Sequence, residues 1–163
     1  MSEIIALDFG TTNSVLAVAD SAGNVQSATF EVGTKSFDTY RTILYFWEDQ
    51  DLKVPNAPTH TKSCSGPFAI EEYLKESHDC RLIQSMKSYL AAKDFEGTDI
   101  FGTNYSIEDL IGTFLTQIHH FAQHSLGWLG QRVISGRPVA FAGSNPDNDF
   151  AEMRLRGAYE QAG

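Results

Sequence analysis

Apolar residues run from Ile4 to Leu7, give way to Asp8-Phe9-Gly10-Thr11-Thr12-Asn13-Ser14, and resume from Val15 to Val18. Two short apolar runs around a bend rich in Gly, Thr and Asn predict strand, tight turn, strand. Gly23-Asn24 signals another turn, and the loose alternation from Val25 to Val32 predicts a third strand antiparallel to the second. Thr42 to Trp47 is dense in β-branched and aromatic residues and predicts a further strand, ended by the acidic turn Glu48-Asp49-Gln50-Asp51. Its aromatics belong to a core by preference. Residues 53–67 hold Pro55, Pro58, Gly66 and Pro67 among serines and threonines, a pattern that predicts one long mobile loop.

From Phe68 the spacing turns helical. Phe68, Ala69, Tyr73 and Leu74 make a short apolar face, and Asp79 is placed to cap a second helix with Leu82, Ile83, Met86 and Leu90 inward. The clearest helix opens at Ser106-Ile107-Glu108-Asp109, a start resembling a capping box. It carries Ile107, Leu110, Ile111, Phe114, Leu115, Ile118, Phe121 and Ala122 at steps of three and four, and should stop at Gly127 or Gly130. Arg132 to Phe141 predicts a strand broken at Gly136-Arg137-Pro138, since proline has no donor for a ladder. Asn145-Pro146-Asp147 predicts a turn and cap before a helix over 149–162.

At 163 residues, 42% hydrophobic and 20% charged, the chain can bury a core and is expected to form one globular domain. A formal charge of -9 argues against a nucleic-acid surface and against anionic membranes. There is no apolar run long enough to span a bilayer and no signal-peptide pattern, so the expected location is cytoplasmic, with Cys64 and Cys80 reduced. Asn104-Tyr105-Ser106 matches a glycosylation sequon, which has no use there. His120 and His124 have the spacing of a zinc pair, but no glutamate lies between them and no third ligand is evident. They read as a solvated face.

The chemistry concentrates at the first bend. Gly10 lets backbone approach a ligand, while Thr11, Thr12, Asn13 and Ser14 bring hydroxyl, amide and N–H donors to one place, an arrangement suited to phosphate. Asp8, at the end of a buried strand, calls for a cation or a water shell, and hydrated Mg²⁺ is its natural partner.

As an ordered string near the N-terminus, Asp8-Phe9-Gly10-Thr11-Thr12-Asn13-Ser14 resembles the first phosphate loop of heat-shock chaperone ATPases of the DnaK type, relatives of actin and the sugar kinases. Arg81 to Leu90 resembles the family's basic and aliphatic segment, with Lys87 in the basic place, and Gly136 to Gly163 its strand, proline turn and helix. Together, Arg-Leu-Ile-Gln-Ser-Met-Lys and Gly-Arg-Pro-Val look closest to the divergent YegD-type branch. The resemblance implies an α/β, actin-like (ribonuclease H-like) ATPase lobe: a mixed sheet opened by a three-strand antiparallel meander, with helices packed on it. It implies ATP or ADP with Mg²⁺ as cofactors, Gly10, Thr11, Thr12 and Asn13 as nucleotide-binding residues, Asp8 facing the metal through water, and Pro138 and Arg156 as relay residues. Unfolded client proteins are the implied partners.

Two departures bear on activity. The family's catalytic lysine follows a Gly-x-Ala-Ala motif, and the best match, Gly66-Pro67-Phe68-Ala69-Ile70, puts Ile70 in its place. No Gly-Gly pair occurs, so the family's second phosphate loop is absent from these residues. Residues 1–163 are therefore expected to be the N-terminal portion of an incomplete lobe, inactive alone and prone to self-association. A small-molecule kinase of the same superfamily and a non-catalytic interaction module stand as alternatives.

Overall fold

In the computed structural model, which describes residues 4–49, 59–75, 79–130, 132–143 and 146–163, the first alternation becomes a hairpin. Strand β1 (Ile4–Phe9) buries Ile5, Leu7 and Phe9 and turns Ile4, Ala6 and Asp8 outward. Strand β2 (Asn13–Ala19) returns antiparallel, with Phe9 opposite Ser14 and Ile4 opposite Ala19. Strand β3 (Val25–Ser27) pairs antiparallel with β2 and completes the meander. It is shorter than the sequence pattern suggested. Ala28 and Phe30 are both drawn into the core, and the Thr29 N–H donates to Ser125 Oγ at 3.0 Å, so the chain leaves the ladder. It then forms a separate hairpin, β4 (Phe30–Val32) with β5 (Lys35–Phe37).

Strand β6 (Tyr40–Arg41) returns to pair with Asn13 and Ser14, and β7 (Ile43–Asp49) carries the apolar run ahead of the acidic turn. Gln50 and Asp51 of that turn, and the loop prolines Pro55 and Pro58, lie outside the described residues. The rest of the stretch read as a loop does not stay irregular. Strand β8 (His60–Ser65) lies antiparallel on one edge of β7, and helix α1 (Gly66–Lys75) starts directly after it. The second correction concerns the helix expected from Asp79. Strand β9 (Cys80–Gln84) takes the other edge of β7, and only Met86–Tyr89 turn helically, as a single 3-10 segment. Both corrections have one cause. The buried strand β7 has two edges of N–H and C=O groups to satisfy, and pairing outweighs local propensity on each side.

A small hairpin, β10 (Thr98–Ile100) with β11 (Thr103–Tyr105), leads into helix α2 (Ile107–Leu126). Ser106 Oγ accepts from the Asp109 N–H at 3.1 Å, and Asp109 accepts from the Ser106 N–H at 2.9 Å, a complete capping box. The helix ends at Gly127. Strand β12 (Val133–Ser135) is much shorter than the expected 132–141, and pairs parallel with β1, Leu7 opposite Ser135. Helix α3 (Asn148–Ala162) is capped by Asp147, as expected; Asn145 of the preceding turn lies outside the described residues.

The main sheet has the order β12-β1-β2-β3, with β6 beside the start of β2, and β8-β7-β9 form a second sheet. Helix α2 sends Leu110, Ile111, Phe114, Leu115, Ile118 and Ala122 into one core with Ile5, Leu7, Phe9 and Leu16. Phe9 meets Phe114 with ring centroids 5.7 Å apart, which fixes the end of β1 on the helix. Helix α3 lies close against α2 at Gly112, where a Cβ would stand 3.1 Å from Gln161 Oε1. The class is mixed α/β. No helix among the described residues is long and apolar enough to cross a membrane.

Candidate functional site

The bend between β1 and β2 is built by backbone. A Cβ on Gly10 would lie 2.1 Å from the Asn13 carbonyl oxygen, so only glycine permits this turn. The Thr42 N–H donates to the Thr12 carbonyl at 2.9 Å, and the Ser14 and Thr42 hydroxyls bond at 2.9 Å in full burial. These contacts tie the returning side of the turn to the chain entering β7. Arg41 reaches Asn13 Oδ1 at 3.3 Å, which brings a guanidinium to the same tip. Thr11, Thr12 and Asn13 are exposed around it, and Asp8 is exposed on the outer face of β1.

A second cation arrives from a distance. Lys87, on the 3-10 segment, donates from Nζ to the Phe9 carbonyl oxygen, and its ammonium stands 5.6 Å from the centroid of the Phe9 ring. Burial lowers the pKa of this amine, and the Asp8 carboxylate acts against that shift. Asp8 is felt on its other flank as well. The hydroxyl of the mostly enclosed Tyr159 donates to Ser135 Oγ at 2.5 Å. Burial raises its pKa, the Ser135 bond opposes the rise, and the Asp8 charge adds to it. Lys87 on the Phe9 carbonyl, and Tyr159 on Ser135 opposite Leu7, therefore lie at the end of the parallel strands β1 and β12, within electrostatic reach of Asp8. In open α/β sheets ligands bind in the crevice beyond the carboxyl ends of such strands.

The expected site residues divide into two groups. Asp8, Gly10, Thr11, Thr12 and Asn13 form one tip. Pro138 and Arg156 stand apart from it: Arg156, 71% exposed, meets Glu152 at 3.6 Å, and Arg137, beside Pro138, meets the same carboxylate at 3.2 Å. Ile70, at the place of the family lysine, is on α1 and 37% exposed. A lysine from elsewhere, Lys87, does reach the tip.

Two functional candidates escaped the pattern reading. Tyr159 follows the buried Ala158 on α3, and its part emerges only when β12 pairs with β1. Arg154 is 6% exposed and is the buried arginine of α3. Its signal was legible: with Ala151, Leu155 and Ala158 it shares the apolar phase of the helix.

His120 and His124 stay exposed, and no group of metal-ligating side chains occurs among the described residues. No protein-family profile matches the chain, and no curated protein matches it.

Proposed function

We propose that the β1–β2 tip is the phosphate-gripping jaw of an actin-like, chaperone-type ATPase that binds MgATP and MgADP. The observation that carries this reading is the placement of the Lys87 ammonium on the Phe9 carbonyl, between Asp8 and the Gly10–Asn13 turn. A phosphate needs oriented N–H and hydroxyl donors with a fixed positive charge, and a phosphate-bound Mg²⁺ needs a carboxylate that tolerates a water shell. Gly10 to Asn13 supply the donors, Lys87 and Arg41 the charge, and Asp8 the carboxylate. Donors of this kind are suited to Gly10, Thr11, Thr12 and Asn13, which fits the ordered string in the sequence. Lys87 takes the role that the motif reading assigned to the position of Ile70. Its ammonium, once drawn from the Phe9 carbonyl to a phosphate oxygen, offsets charge developing in phosphoryl transfer to water.

In the chaperone reading, hydrolysis alters the angle between two lobes and so the grip on an unfolded client. The present residues contain one phosphate loop, so they are expected to bind nucleotide weakly and to release no measurable phosphate. Calorimetric titration of MgATP and MgADP into residues 1–163, with Thr11→Ala as comparison, tests the jaw. Weak heat of binding that Thr11→Ala removes supports it. No binding, with the fold intact, overturns it in favour of an interaction module.

A further inference from the structure

We infer that Arg154 is a positioning residue: by clamping the turns at Ala92 and Phe95 to α2 and α3, it holds Lys87 on the Asp8–Phe9 tip. The side chain uses its planar fork from all three nitrogens. Nε and Nη2 donate to the two carboxylate oxygens of Glu108 at 2.8 and 3.2 Å, Nη1 donates to the Ala92 carbonyl at 3.2 Å, and Nη2 to the Phe95 carbonyl at 3.3 Å. The guanidinium also lies 5.2 Å from the Phe150 ring. A buried ion pair is poor evidence of stability, because desolvation offsets much of its attraction; its better-attested use is to specify one arrangement.

What this pair specifies is the path of residues 85–95. At the near end, Gln84 is fixed opposite Ile43, and Ser85, with φ of 59°, turns the chain out of β9 into the 3-10 segment. Hydrogen bonds then follow in sequence: Leu90 N–H to the Lys87 carbonyl at 3.4 Å, Ala92 N–H to Tyr89 at 3.1 Å, and Phe95 N–H to Ala92 at 3.2 Å. Tyr89 and Phe95 pack with centroids 5.2 Å apart. Lys87 thus sits between two anchors, a sheet edge on one side and Arg154 on the other. An apolar side chain at position 154 would fill the space but leave both carbonyls without these partners. A shift of α3 would reach the Lys87 amine through the same two carbonyls.

The phosphate reading explains why the place of Lys87 matters, but the clamp is testable without nucleotide. The 163-residue chain is exposed to a limiting amount of an amine-acylating reagent, and each lysine is read by mass spectrometry, with Lys62 and Lys75 as references. Arg154→Gln should raise acylation of Lys87 about tenfold through local opening, leave both references unchanged, and be partly rescued in Arg154→Lys. Unchanged Lys87 in a folded variant, or an equal rise at all three lysines, overturns the inference. If Arg154→Gln does not fold, Glu108→Gln replaces it. That variant should move Lys87 alone, in the same direction and by less; no selective change, or failure to fold, overturns the clamp. Failure of MgATP to protect Lys87 in the unaltered chain would count against the phosphate reading while leaving the acylation contrast between variants intact.

Discussion

The ammonium of Lys87 rests on the carbonyl oxygen of Phe9, a residue 78 positions earlier in the chain. A half-buried cation in that place is costly, and the lowered pKa records the cost, with desolvation outweighing the pull of Asp8. The folded state therefore holds the Lys87 proton less tightly than the unfolded state. Stability from this group is fully present only above the ordinary lysine value of 10.5 and is lost as pH falls through the lowered folded value. At neutral pH, Lys87→Met should raise the thermal midpoint while abolishing the proposed nucleotide binding. The advantage over the unaltered chain should shrink as pH rises toward 10.5, which parallel melts near pH 7 and pH 10 would show. A variant less stable at neutral pH would contradict this account of the amine. Stability given up at a group proposed to bind a ligand is a common trade.

Gly10 and Gly66 differ in what a methyl group would meet. At Gly10 the obstacle is backbone, the Asn13 carbonyl at 2.1 Å, so Gly10→Ala should rebuild the turn and remove the proposed nucleotide binding. At Gly66 the obstacle is the ring of Tyr40, with three carbons at 2.4 to 2.6 Å, on a backbone with φ of +65°. Tyr40 is fully buried and bonds Ser65 Oγ at 2.6 Å, so its ring has little freedom to retreat. Gly66→Ala should cost on the order of 3 kcal/mol, as overpacking plus left-handed strain. Urea unfolding of both variants separates a local effect at the tip from a global one at the core.

The local signals that the sequence carried best were those whose partners are near in the chain. The β1–β2 hairpin, the Ser106 capping box and the Asp147 cap were legible because a turn or cap is made by residues a few positions apart. Strands β8 and β9 were not legible. His60–Ser65 is polar and Cys80–Gln84 has helical spacing, and only the presence of β7 between them makes either a strand. The site follows the same division. Its donors lie in one string, while Lys87, Tyr159 and Arg154 reach it, or its support, only through long-range pairing.

Exposed apolar side chains collect on the outer face of the main sheet. Ala6 stands opposite Ala17 and Ile134, and Ile4 opposite Ala19; Ile134 is 62% and Ile4 37% exposed. A face of this kind should bind an apolar fluorescent dye in the native state and make the light-scattering mass rise with concentration. Ile134→Glu should reduce both without lowering the thermal midpoint appreciably. A concentration-independent monomer that leaves the dye dark would contradict the prediction.

Cys64 and Cys80 flank β7 on opposite sides, Cys64 across from Tyr45 and Cys80 across from Trp47, so a strand separates the two thiols. Both are free. A disulfide between them would require removing β7 from the sheet, and mild oxidant should leave the chain uncrosslinked within itself. Burial pushes the Cys64 thiol up to about 12, with the nearby Glu72 carboxylate adding to the shift. At pH 8 its thiolate is then roughly one part in ten thousand, against about a quarter for an ordinary cysteine. Alkylation of native protein by iodoacetamide at pH 8 should therefore leave Cys64 unmodified over a time in which urea-unfolded protein reacts completely at both cysteines. Lifting the burial should restore the rate, so Ala69→Gly, which thins the packing of α1 against Tyr45 and Ile43 beside Cys64, is expected to speed native labelling of Cys64. Rapid labelling of Cys64 in the native, unaltered chain would contradict both the burial of this thiol and the seating of α1 on β7.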